Sequence, residues 1–258
     1  MTTSTPQTAV PAEAAPESVP APRGSTRAVA AALCALLGVG LVGGGGISGW
    51  AEQRAAHRPL TADAAYRKAG SLWRSTPVDT LFPPVLDGAD AGPGGADRTW
   101  TRVALAPDAD CGPSLAPDWQ AALAATGCTR VLRATYTDAT RSSLVTVGMV
   151  FTPADAPGMS ALRGHLPAPP GYGFADSKRA AWTASVLSEA PVVVYTVSAF
   201  TDGRTLDAPR PAEDVMRKDA TGAVAQAGLG HEAKGVADRV QRAVRTLAAP
   251  PAPPGTAR

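Results

Sequence analysis

The run from Ala28 to Ala51 constrains this chain more than any other feature, because no charge interrupts it and Arg27 directly precedes it. It carries Leu33, Leu36, Leu37, Val39, Leu41, Val42 and Ile47. At about 1.5 Å rise per residue, a helix of this length crosses a hydrocarbon core ~30 Å thick. The expectation is therefore one transmembrane helix over residues 28–50, with the lipid bilayer as its partner. A cleaved signal peptide is the competing reading, since such peptides carry an apolar region of about 7–15 residues ending in a small-x-small site. The stretch ahead of the run, rich in Thr, Ala, Pro and Ser, is long for a signal n-region and favours a signal-anchor. Gly40 and Gly44 have the small-xxx-small spacing that lets two spans approach closely, which makes them candidate packing residues. Compositional bias toward glycine is the alternative account of the same pair.

The chain has three cysteines, and Cys34 lies within the run, leaving Cys111 and Cys128 as the only pair beyond it. A disulfide between them is worth roughly 3 kcal/mol in the chain-entropy model and needs an oxidising compartment. Two buried free thiols are the alternative. Flanking charge barely separates the two orientations, so the cysteines decide the expectation: residues 1–27 in the cytoplasm, everything after Trp50 outside it. The 1–27 tail cannot bury enough apolar area to offset its ordering entropy, and is expected to be disordered. A net charge of +2, with no basic stripe and no interleaved aromatics, argues against a nucleic-acid partner. It also gives no field that would steer a charged ligand.

Beyond the span, Thr61 to Trp73 reads as a short helix capped by Thr61, followed by a Pro/Gly-rich linker that ends near residue 97. The folded domain is expected over 98–248, with a flexible Pro-rich tail at 249–258. Arg98 to Leu105 alternates as a half-buried strand does. A helix is expected from Ser114 to Thr126, with Gly127 as its left-handed cap. Val131–Thr137 and Leu144–Phe151 form a hairpin around Asp138–Arg141. Thr152-Pro153-Ala154-Asp155 then reads as a capped helix start, with the helix reaching about Leu166. Ala180–Leu187 and Val192–Thr201 form a second strand pair. Leu229, Ala233, Val236, Val240, Ala243 and Leu247 make one apolar stripe on a C-terminal helix. The order predicts an α+β fold: a ferredoxin-like, split βαβ antiparallel sheet with two helices on one face, an extra strand and the C-terminal helix.

Catalytic and metal-binding constellations are sparse. The three histidines, at 57, 165 and 231, are scattered, and His231-Glu232 opens like a zinc-protease helix but has Gly235 where the second histidine belongs. Asp176, Ser177 and Lys178 sit in a Gly/Pro-rich loop and read as a turn. Asp108, Asp110 and Asp118 surround Cys111 without the glycine and glutamate of a calcium loop. No catalytic residue, metal ligand or cofactor is expected, and no constellation demands an enzyme. Tyr172 and Phe174, aromatics on the loop after Pro170, are candidates for contact with a partner.

Arg133–Asp138, Val147–Thr152 and Ala190–Tyr195 carry a resemblance. On these stretches the chain resembles uncharacterised actinobacterial single-pass membrane proteins, a family with no established activity, so the resemblance transfers no site residue. It is more faintly similar to disulfide-bearing external sensor domains of bacterial receptor kinases, although no kinase domain is present. The function expected is a membrane-anchored, extracytoplasmic binding or scaffold protein of the cell envelope, partnered by another envelope protein or a second copy of itself. An envelope hydrolase with a site assembled from distant residues, and an accessory subunit docking through Gly40 and Gly44, are the alternatives.

Overall fold

A computed structural model describes residues 60–249. Thr61 caps the first helix as its position suggests, its Oγ1 accepting the Ala64 N–H at 3.3 Å, and α1 runs Ala62–Ala69. Short helices α2 (Leu72–Ser75) and α3 (Val78–Leu81) follow, then β1 (Val85–Gly88) and β2 (Arg98–Leu105). Next come α4 (Cys111–Ser114), α5 (Pro117–Ala122), the hairpin β3 (Arg130–Asp138) and β4 (Ser143–Phe151), and α6 (Ala156–Ser160). Then follow β5 (Ala181–Val186), β6 (Val192–Phe200), β7 (Arg210–Pro211), α7 (Ala212–Val215), α8 (Ala223–Gln226) and α9 (Leu229–Ala248).

These strands form one seven-stranded sheet in the order β1-β2-β3-β4-β6-β5-β7. Neighbours are antiparallel except β5 and β7, which pair in parallel at Ala181 and Trp182 only. The central strands are buried on both faces. On one face Leu132, Tyr136, Val147, Phe151 and Val194 pack against Val236, Val240 and Val244 of α9 and against the α1–α3 segment. On the other, Val131, Val150, Val193 and Tyr195 lie beneath Leu115, Trp119 and Met159. The α9 stripe thus meets the sheet, with Leu229, Ala233, Val236 and Val240 buried as its spacing implies and Val244 and Ala248 continuing it.

The fold-class expectation is corrected. The sheet is larger than a ferredoxin-like one, mixed in direction, and covered on both faces. A split βαβ unit needs helices long enough to carry the chain back along a strand. Nine-residue strands such as β3 span about 30 Å, whereas the six residues of α5 span about 9 Å. The link between β2 and β3 therefore folds over one face, and the two strands pair antiparallel as direct neighbours. Pro117 starts α5 anew and keeps Ala116 extended at ψ 154°, so the single helix expected from Ser114 breaks in two. Gly127 does adopt the left-handed conformation, at φ +70°. The helix expected from Thr152 to Leu166 shrinks to α6, capped by Asp155 through Gly158 N–H at 2.9 Å. Thr152 instead ends the sheet, its N–H donating to the Pro191 carbonyl at 3.0 Å.

The described part of the segment 51–97, read as juxtamembrane helix and linker, contributes α1, α2, α3, β1 and a 3-10 turn at Pro93–Gly95 to the domain. Among the described residues no helix is long and apolar enough to cross a membrane. The transmembrane expectation for 28–50, with Gly40 and Gly44, lies outside the described residues, as do the 1–27 tail and residues from 250 onward.

Candidate functional site

Beyond the two residues that pair with β7, the outer side of β5 is left without a neighbouring strand. Its sequence, Ala-Trp-Thr-Ala-Ser-Val, is shorter and more polar than the Val-Val-Val-Tyr start of β6, and Trp182–Val186 are all half-buried while β6 is buried nearly throughout. The direction of its peptide groups follows from two bonds. Leu187 N–H donates inward to the Val192 carbonyl at 3.0 Å, and the Ala180 carbonyl accepts outward from Arg210 N–H at 2.9 Å. Because strand residues alternate, Ala184 and Val186 turn both N–H and C=O away from β6. Among the described residues neither makes a main-chain hydrogen bond on that side. β7 ends after two residues, where α7 begins at Ala212, and leaves this stretch open.

Two grooves border the open edge and share Trp182, Ala184, Ser185 and Gln241. One, of about 300 Å³, runs between β5 and α9 and presents Glu213, Lys234 and Asp238. The second, of about 420 Å³, presents Arg163, Leu166, Val186 and Arg245. Lys234 pairs with Asp238 at 3.0 Å and Arg245 with Glu189 at 3.4 Å, so that among the described residues each groove holds one charge without such a partner: Glu213 in the first, Arg163 in the second. An extended segment laid along β5 would meet two main-chain donor–acceptor sets and two adjoining grooves for its side chains.

A cluster of ionisable groups lies under α9. Glu232, only 4% exposed, accepts Trp100 Nε1–H at 2.5 Å and pairs with Arg98 Nε at 3.0 Å. Burial raises its carboxyl pKa, opposed by those donors. Asp138 sits across from Trp100 in the β2–β3 register. Burial pushes its carboxyl up too, but hydrogen bonds from Thr140, Ser143 and Ser142 outweigh that and bring it down to about 2. Opposed shifts in one neighbourhood are the electrostatic pattern of an acid–base pair. Here the geometry is closed: both Glu232 oxygens are engaged, Trp100 is fully buried, and neither groove along β5 reaches them. The cluster joins α9 to β2. Trp100 fits there because Gly88 and Gly235 are glycines, a Cβ on either falling 2.4 Å from its ring.

Cys111 and Cys128 form a disulfide with Cα atoms 6.1 Å apart, tying the start of α4 to the approach to β3. Tyr172 is bound to the sheet through its main chain. Its carbonyl accepts from Thr135 Oγ1 at 2.8 Å and from Thr146 Oγ1, and its N–H donates back to Thr146 Oγ1 at 3.1 Å. Its ring carries the Arg133 guanidinium at 4.7 Å. Phe174 closes over Gly171, where a Cβ would meet the ring at 2.9 Å. Both aromatics are half-buried and neither lines the β5 grooves. Sequence reading missed the β5 edge, although a short, polar strand beside a strongly apolar one is the signal an edge strand leaves. It also missed a groove holding Arg67, Trp73 and Arg74, whose lining comes from separate segments. Among the described residues no group of three or more metal-ligating side chains forms. Comparison with protein-family models, curated proteins and solved structures finds no match for this chain.

Proposed function

We propose that this protein is an extracytoplasmic binding protein of the cell envelope, tethered at the membrane, that accepts an extended segment of a partner protein as an added strand on β5. The observation that carries this reading is the unpaired outer side of Ala184 and Val186, bordered by two adjoining grooves. Strand addition draws affinity from main-chain hydrogen bonds and specificity from pockets that take alternate side chains. Both parts are in place along β5. The location outside the cytoplasm is supported by the Cys111–Cys128 disulfide, a bond that persists in oxidising compartments. Tethering is supported by the apolar run that begins at Ala28.

The test is affinity purification of the tagged full-length protein from gently solubilised native membranes, with Ala184→Pro alongside wild type. Proline at 184 removes the outward N–H and spares the β5–β6 ladder, because Ala184 donates nothing to β6. The expected result is a partner that accompanies wild type and is absent from Ala184→Pro, with the melting temperature of the variant within a few degrees of wild type. Recovery of the same proteins with both chains, or of neither with any partner, refutes strand addition at this edge.

A further inference from the structure

We propose a second binding site, independent of the β5 edge, that takes an oxyanion carried on a planar apolar body. It is the groove of about 340 Å³ between α1–α2 and the links that leave β4 and β5. Two guanidinium groups, Arg67 and Arg74, line it, and no carboxylate does. Among the described residues neither arginine makes an ion pair or a side-chain hydrogen bond, and both are exposed.

Their neighbour Arg130 shows the contrast. It is answered by Asp108 at 3.2 Å and Asp110 at 2.9 Å, so its charge is balanced locally. The Arg130 and Arg74 guanidiniums lie 4.5 and 4.4 Å from the centre of the Trp73 ring. Cation–π attraction of this kind fixes the indole in place, while among the described residues no carboxylate pairs with Arg67 or Arg74.

Beside the arginines the lining is mixed: Trp73, Pro153, Ala154 and Pro191 offer apolar surface, and Ser71, Thr129 and Thr152 carry hydroxyls. Gly70 belongs to its construction, since a Cβ there would meet Pro191 Cγ at 2.9 Å and push α1 away from the β5–β6 turn. A bare ion would leave this apolar surface unused, and a neutral ring would leave the arginines unanswered. Guanidinium pairs suit carboxylate and phosphate alike. The shared chemistry is therefore an aryl or similarly flat anion of either kind, of a size that fits a cavity at the small end of ligand pockets.

The experiment titrates the full chain in detergent micelles with phenyl phosphate and with phenylacetate, following binding by calorimetry, and runs empty micelles in parallel. Inorganic phosphate and benzyl alcohol test each half of the requirement alone. The expected result is saturable binding of at least one aryl anion, the better of the two telling phosphate from carboxylate. The two half-ligands bind about tenfold more weakly or worse, and Arg67→Ala/Arg74→Ala loses at least about tenfold, as lost charge-assisted hydrogen bonds imply. Both arginines are exposed, so the double variant keeps its fold. Absence of saturable binding by either aryl anion overturns the proposal, as does affinity that the double variant leaves unchanged or that inorganic phosphate matches.

Discussion

Replacing Gly235 by alanine sets two effects of opposite sign against each other. Gly235 lies in the middle of the 20-residue helix α9, where propensity alone makes alanine about 1 kcal/mol more stable. The tertiary contact reverses that sign. A Cβ at 235 falls 2.4 Å from Cη2 and 2.8 Å from Cζ2 of Trp100. The ring has little room to yield: it is fully buried, it also abuts Gly88, and its Nε1–H is held by Glu232. Overpacking costs about 1–3 kcal/mol, and an approach this close to a fixed ring belongs at the upper end, about 3. Less the propensity gain, Gly235→Ala destabilises by about 2 kcal/mol. For a domain near this size each kcal/mol moves the melting temperature by about 2–4 °C, so a fall of roughly 4–8 °C is expected. Thermal unfolding followed by circular dichroism measures it, with urea unfolding as the equilibrium check. In the Gly235→Ala/Trp100→Phe double variant most of the alanine penalty disappears, because the smaller ring vacates the contact. A variant that melts at or above wild type refutes the reasoning, since the ring would then be free to move.

Three further outcomes follow from the same geometry. The Cys111→Ala/Cys128→Ala variant loses roughly 3 kcal/mol in the chain-entropy model, and a reductant lowers the melting temperature of wild type while leaving the variant unchanged; a reductant-insensitive wild type counts against the staple. Asp138 is lowered from 3.8 to about 2, so its contribution is complete above about pH 4 and is lost as pH falls through about 2. Asp138→Asn should flatten that acid limb in a plot of urea midpoint against pH, and an identical limb in both proteins would contradict it. Glu232→Gln can still accept from Trp100 Nε1–H, whereas Glu232→Leu leaves that buried donor unpaired at about 1–3 kcal/mol, a ranking that urea midpoints can reverse or uphold.

The elements that could be read in advance are those set by near neighbours in sequence. Period-two alternation marks β2, and runs of β-favouring residues bounded by polar turns mark the β3–β4 hairpin and the β5–β6 pair, all to within a residue or two of their observed ends. The three-four spacing of Leu229, Ala233, Val236 and Val240 marks α9, and Thr61 marks the start of α1. Other elements escaped because their signal is short or overridden. β1 is four residues between Pro84 and a Gly-rich turn, too short to show a period. Pro117 and Pro157 cut two expected helices down to α5 and α6. The sequence shows Gly235 only as the position where a second histidine is missing, since the ring it accommodates lies far away in sequence.

By itself, the sequence determined local conformation and the one cysteine pair available beyond the apolar run, because backbone preference, side-chain period and loop length act over a few residues. The tertiary structure alone decided strand order, the sealing of Glu232 against Trp100 and Arg98, the open side of β5, and the meeting of Arg67 and Arg74 with Trp73, Pro153 and Pro191. Each of these depends on which distant surfaces bury one another. A groove lined by four separate stretches of chain has no local period, so it exists only once the sheet and its covering layers have assembled.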